Sequence, residues 1–355
     1  MPLSNFPYSM SGSYWIIAKI GNAYKKDISH GQCRDKAPKG PHMTQTMQAA
    51  ETHPTRAEIV AGLVSSMANP ARSPILRLPS DDGLAFSDVF FPAMDGVTIE
   101  GLFIPADSDR LIIANHPIWV NRYGFPGHLK PYGDAWAASG NNIEVNFMPD
   151  YKHLHDAGYN ILAYDLRNFG QSGAGSGGVI GNGIREYRDV IGSLRYARSR
   201  SDLKNMKIGL LSRCCGMNAT MVGMSKHLEE FKDVQAIVAP QPISLSAFYR
   251  TILDHMGMSD ALPEVADALR QATSMELKDM DMPPYAASVD IPTLLLQVRE
   301  DTLTTPEDVQ SMYDAMPTNQ KDLIWIEGTN RRFDGYNYLP ANPKPMLDWF
   351  ERFVR

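Results

Sequence analysis

From Phe86 onward, apolar runs alternate with amphipathic stretches along the chain. Asp88–Phe91, a turn at Asp95-Gly96 and Val97–Ile104 predict a β-hairpin. Leu111–Asn115 is continuously apolar until its last residue, the pattern of a strand buried on both faces. Asn160–Asp165, Met206–Leu211, Val234–Ala239, Thr293–Val298 and Leu323–Ile326 read as further strands. Between them, Phe147, Tyr151, Leu154 and Ala157 predict a helix ending at Gly158, and Ile184, Tyr187, Ile191 and Leu194 predict another. A third runs from Gly216 to Phe231, and a last one closes the chain through Met346–Phe350. This repetition implies an α/β fold with a mostly parallel central sheet flanked by helices. Residues 245–290 interrupt it with helical, Met-rich sequence, which reads as a small inserted lid.

The first 80 residues differ. Up to residue 42 the chain mixes Ser, Gly, Lys and Pro with little periodicity. It reads as a partly disordered arm, an extension ahead of a start at Met43. Ile59, Val60, Leu63 and Met67 recur at helical spacing, which predicts a short helix near 56–67 against a body formed by residues 81–355.

Composition narrows the classes. A 355-residue chain with 43% hydrophobic and 21% charged residues can bury a large core. A net charge of −6 leaves no footprint for nucleic acid or an anionic membrane. No apolar run approaches the roughly 18 residues of a spanning helix. Tyr14–Ala18 is short, with no basic region before it, so a signal peptide is not expected and the reading is cytoplasmic. The cysteines are three, Cys33, Cys214 and Cys215; an odd count with two adjacent members is not a disulfide framework. His153 and His155 are two apart and would diverge on a helix. No metal or cofactor is expected. The expected partner is a small-molecule substrate, with a homodimer left open.

The chemistry centres on Leu211-Ser212-Arg213-Cys214-Cys215-Gly216. A sharp turn presenting a nucleophile at the end of a buried strand needs small residues two before and two after it, because the backbone there is crowded. Ser212 and Gly216 meet that need around Cys214, whereas Ser212 as nucleophile would be flanked by Leu210 and Cys214. A thiol at a helix N-terminus is favoured as thiolate. The alternative is that Cys214 is a small buried apolar residue.

With this turn, residues from about 87 onward resemble the α/β-hydrolase superfamily in motif order. The pieces are the hairpin, a strand ending in His116-Pro117, the segment Gly158–Gly173, the elbow, and Glu300–Pro306. A cysteine at the elbow is similar to the dienelactone-hydrolase branch. The resemblance implies an α/β-hydrolase fold and an enzyme acting on an ester, thioester or lactone of a small, largely apolar molecule. It implies Cys214 as nucleophile and Asp301 as the acid, although Asp301 ahead of Pro306-Glu307-Asp308 also suits a helix cap. The backbone N–H groups of Cys215 and Ile118 would form the oxyanion hole.

The histidine that should follow the last strand is missing. No histidine lies after His255, and the expected position falls on or next to Arg331. A guanidinium stays protonated and cannot act as a base. Arg331 could hold Cys214 as thiolate or bind an oxyanion; alternatively, Arg331 and Arg332 are surface charges, or pair with Asp334 to brace the loop. His116 and His128 are candidates for a substitute base, although His116 also reads as a structural residue. Two other classes stay open: a non-hydrolytic lyase or cyclase, and a ligand-binding protein on the same scaffold.

Overall fold

The computed structural model describes residues 54–355; the expected arm, Met43 and Cys33 lie outside the described residues. Eight strands form one sheet: β1 (Ser87–Pro92), β2 (Thr98–Ile104), β3 (Arg110–Ala114), β6 (Asn160–Tyr164), β7 (Lys207–Leu211), β8 (Val234–Pro240), β9 (Thr293–Val298) and β10 (Lys321–Ile326). Their spatial order is β1-β2-β6-β3-β7-β8-β9-β10. The first two pairings are antiparallel, with Val89 opposite Gly101 and Leu102 opposite Ala163. The other five are parallel. β4 (Gly124–Pro126) and β5 (Glu144–Asn146) form a small separate hairpin that periodicity did not predict, each strand being only three residues long.

Burial follows position in the sheet. β6 and β9 are buried at every residue, as central strands covered on both faces must be. β1, at the edge, alternates towards its end, with Val89 and Phe91 buried and Phe90 exposed. Helices Met148–Asp156, Tyr187–Ser199, Cys215–Lys226, Pro306–Ala315 and Lys344–Phe353 flank the sheet. A Cβ on Gly209 would lie 3.0 Å from the Phe350 ring, so the small residue in β7 lets the last helix pack close.

Between β8 and β9, helices Leu245–His255, Leu262–Thr273 and Pro283–Ala286 make the insertion. The helix expected near 56–67 spans Arg56–Ala68. It opens on a capping box in which Thr55 and Glu58 satisfy each other's backbone N–H groups. It buries Ile59, Val60, Leu63, Val64 and Met67, and Arg56 binds Asp260 and Glu264 of the insertion at 3.0 and 2.7 Å. Among the described residues no helix is long and apolar enough to cross a membrane.

Beneath the elbow lies a buried ion pair. The Arg213 guanidinium donates to Asp150 at 2.6 Å and to the Asn115 carbonyl at 3.2 Å, and lies 4.1 Å from the Phe147 ring centroid. Both charged side chains are about 1% exposed. A buried pair need not add net stability, but removing one partner strands the other charge. Arg213→Met should therefore cost about 3–5 kcal/mol in denaturant unfolding, and adding Asp150→Asn should recover part of that loss. Equal stability of Arg213→Met and wild type would show that Asp150 is not held as a buried anion.

Candidate active site

The ends of the parallel strands converge on Cys214. β7 stops at Leu211, and Cys214 turns the chain at φ 49, ψ −111 into helix Cys215–Lys226. A non-glycine residue at positive φ stores on the order of 1–3 kcal/mol and persists only where its surroundings fix it. Here Ser212 N–H donates to the Val238 carbonyl at 2.9 Å and Cys214 N–H to the Pro240 carbonyl at 2.8 Å. Asn218 N–H donates to the Cys214 carbonyl at 2.9 Å. A Cβ on Gly216 would fall 1.6 Å from Asn115 Oδ1, so this position has no room for a side chain.

The cation beside the sulfur is Arg332, not Arg331. Arg332 Nη2 lies 3.7 Å from Cys214 Sγ, and Nη1 donates to Asp301 Oδ2 at 2.6 Å. Its Nε donates to the Tyr336 hydroxyl at 3.0 Å, and Nη2 also donates to the Gln241 carbonyl. The side chain is 4% exposed. Burial works against its charge, but Tyr336, Asp301 and Cys214 outweigh that and hold its pKa well above the ordinary value. Arg331, by contrast, is 43% exposed and donates from Nε and Nη2 to Asp334 at 2.8 and 2.9 Å. It braces the loop and does not line the Cys214 cavity.

Asp301 leaves the end of β9 and is buried. It accepts from Arg332, from Gln297 Nε2 at 3.0 Å and from Leu303 N–H at 2.9 Å. Burial pushes its carboxyl above the usual value, while Arg332, Leu303 and Gln297 pull it down. Ile118 lines the same cavity as Cys214, and Cys215 opens the following helix, where N–H groups lack intrahelical partners. The Cys215 thiol is fully buried, and that burial pushes its pKa well up.

Neither candidate histidine is placed to act as a base. His116 Nε2 accepts from Leu166 N–H at 2.9 Å, and Nδ1 lies 2.7 Å from the Pro117 carbonyl, so both ring nitrogens are engaged. His128 is 40% exposed, 3.9 Å from Glu144, and outside the Cys214 cavity. No histidine lines that cavity, and among the described residues no cluster of His, Cys, Asp or Glu could hold a metal.

Two residues not anticipated from the sequence complete the arrangement. Gln241, at φ 59, follows β8; its Nε2 donates to the Arg332 carbonyl at 3.2 Å, and its Oε1 accepts from Val298 N–H at 3.3 Å. Tyr336 supplies the hydroxyl under Arg332 and lines the same cavity as Cys214. Neither belongs to a motif. The one sequence signal bearing on the arginines was Asp334, placed three residues after Arg331 to capture it.

No protein-family model matches the sequence, and no curated protein sequence matches it. Solved structures do. An esterase from Pyrococcus furiosus superposes with a TM-score of 0.61 at 22% identity, covering 81% of this chain and 99% of that one. An α/β hydrolase from Penicillium sp. sh18 gives 0.52 at 17% identity, covering 76% and 99%. A protein named DcsB, solved with a substrate analogue, gives 0.52 at 15% identity over the same shares. With the sheet order and parallel register above, this likeness defines the fold: the chain has the α/β-hydrolase fold.

His116 has a measurable consequence. Burial lowers its pKa, although Asp165 pulls it upward. In the unfolded chain the ring takes up a proton near pH 6.5, while the folded ring resists it. Its contribution is thus present above about pH 6.5 and is lost as pH falls below that value. Melting temperature should fall less steeply from pH 7.5 to pH 5 in His116→Gln than in wild type. Parallel profiles would mean that the ring protonates freely in the fold.

Proposed function

We propose that this chain is an enzyme that acts on an ester, thioester or lactone of a largely apolar molecule, with Cys214 as its nucleophile. One observation carries the reading. The sulfur sits on a positive-φ turn at a helix N-terminus, 3.7 Å from a buried guanidinium that is itself held by a carboxylate at 2.6 Å. A fixed cation and helix dipoles can hold negative charge on sulfur, which is the nucleophilic form.

Attack forms the S–C bond and moves the carbonyl π electrons onto oxygen, where the N–H groups of Cys215 and Ile118 are proposed to receive them. Collapse re-forms the carbonyl and expels the leaving group, giving a thioester on Cys214. Asp301, Gln241 and Tyr336 act as positioning residues through Arg332. Trp136, Phe248 and Phe333 are among the apolar groups on the wall of the cavity around Cys214.

A second reading, a non-hydrolytic lyase or cyclase, draws on one feature of the same site. Release by water needs a base, and Arg332, the cation beside the sulfur, cannot take a proton. The acyl group would then pass to another nucleophile.

p-Nitrophenyl acetate should release a burst of about one p-nitrophenolate per chain, with acetyl found on Cys214 by mass spectrometry of peptides. Cys214→Ala should abolish the burst, and Arg332→Met should slow acylation by roughly tenfold to a hundredfold at pH 7. A slow phase near zero after the burst favours non-hydrolytic transfer, whereas sustained turnover favours hydrolysis. Turnover that survives Cys214→Ala would sink covalent catalysis by this residue.

A further inference from the structure

A second, larger cavity that opens to solvent adjoins the one at Cys214. Leu63 of helix Arg56–Ala68, Ala138, and Ile252 and Met256 from the insertion lie on its wall. Trp119, Trp136, Phe248 and Leu303 line both cavities. Three of these form one aromatic layer, with the Trp119 ring centroid 5.4 Å from Trp136 and 6.0 Å from Phe248. Trp119 is held in place: its backbone lies at φ 63, and its indole N–H donates to the Ser66 carbonyl at 3.0 Å. Such a conformation is rare for a bulky residue and persists only where the surroundings fix it.

We propose that the two cavities are one binding site for an elongated, mainly apolar carbonyl compound. Its reactive carbonyl lies at Cys214 and its chain runs past the side chains that line both cavities into the outer chamber. The direction of binding, carbonyl inward, rests on Cys214 being the nucleophile; the chamber's occupancy does not.

The wall chemistry selects the ligand. Ser66 Oγ donates to the Leu63 carbonyl at 2.7 Å, Ser139 Oγ to the Trp136 carbonyl at 3.0 Å, and Thr302 Oγ1 to the Ser139 carbonyl at 3.4 Å. The chamber's hydroxyls are thus turned onto backbone and offer a ligand methyl and methylene groups. His255 is the one ionisable residue on its wall, and it is exposed. That marks the solvent mouth rather than a site for buried charge. The outer chamber is the roomier of the two cavities and opens to solvent, so an extended chain can lie along its apolar wall. Each methylene taken from water should raise affinity roughly fourfold until the chamber is full.

The test uses the full chain and a neutral fluorescent probe, cis-parinaric acid methyl ester. Wild type and Cys214→Ala should both bind it. Ala138→Trp, which fills the outer chamber from a half-buried position, should weaken binding roughly tenfold or more. Met256→Trp should do the same from the insertion's side, guarding against misfolding of one variant. The ratio of p-nitrophenyl decanoate to p-nitrophenyl acetate acylation should fall in parallel. Equal binding by wild type and both tryptophan variants, or no binding by wild type, overturns the proposal. Probe binding that the variants block, with no ester acylating Cys214, upholds the chamber and rejects the nucleophile.

Discussion

A guanidinium taken out of water needs partners for its charge and its N–H groups, or its burial is costly. Arg332 places four of its five by drawing on four segments of chain. Its donors reach Asp301 beyond β9, Gln241 beyond β8, Cys214 beyond β7, and Tyr336 one helical turn onward. The strands β7, β8 and β9 are consecutive in the sheet, so their ends arrive about 4.8 Å apart, a spacing that one planar fork can bridge. Other constraints follow from this one. Gln241 must turn at positive φ to present its carbonyl and amide together. Gly335 must lack a side chain, since its Cβ would fall 1.4 Å from the Gln241 amide nitrogen.

Much of this frame was legible before any coordinates. The strands declare themselves because central strands buried on both faces are apolar at nearly every position, as β9 is. The elbow is legible for a steric reason, since Gly216 is the residue that leaves room for Asn115. Beyond that, sequence reasoning stops at the point where side-chain direction decides. Arg331 and Arg332 are adjacent and chemically identical, yet one faces Asp334 at the surface and the other faces Asp301 in the core. Their difference arises from how the helix Arg332–Tyr336 docks, which is a tertiary property. Gln241 and Tyr336 were invisible for the same reason: their roles exist only once separate strand ends meet.

His116 illustrates the converse. Its place after β3 made it chemically eligible, but eligibility depends on a free ring nitrogen. The loop closes on both nitrogens, with Leu166 N–H on one side and the Pro117 carbonyl on the other. The histidine therefore fastens the loop carrying Ile118 to the loop after β6. It supports the site's shape rather than its proton traffic.

A guanidinium beside a nucleophile would order events differently from an imidazole. In a cysteine–histidine pair the proton moves from sulfur to nitrogen and stays in the site, ready for the leaving group. Arginine has no vacancy for a proton. On the reading proposed above, the sulfur must lose its proton to solvent before attack, and the leaving group must depart without one from Arg332. That favours groups stable as anions, such as thiolates, phenolates and enolates, over simple alkoxides. Asp301 already balances the Arg332 charge, so the field left for sulfur is that of one N–H at 3.7 Å together with the helix N-terminus. On that reading neither the guanidinium nor the helix N-terminus can take a proton from water. An acyl group carried by Cys214 would therefore outlast one held beside a histidine, and an extended substrate could place a second nucleophile of its own against it.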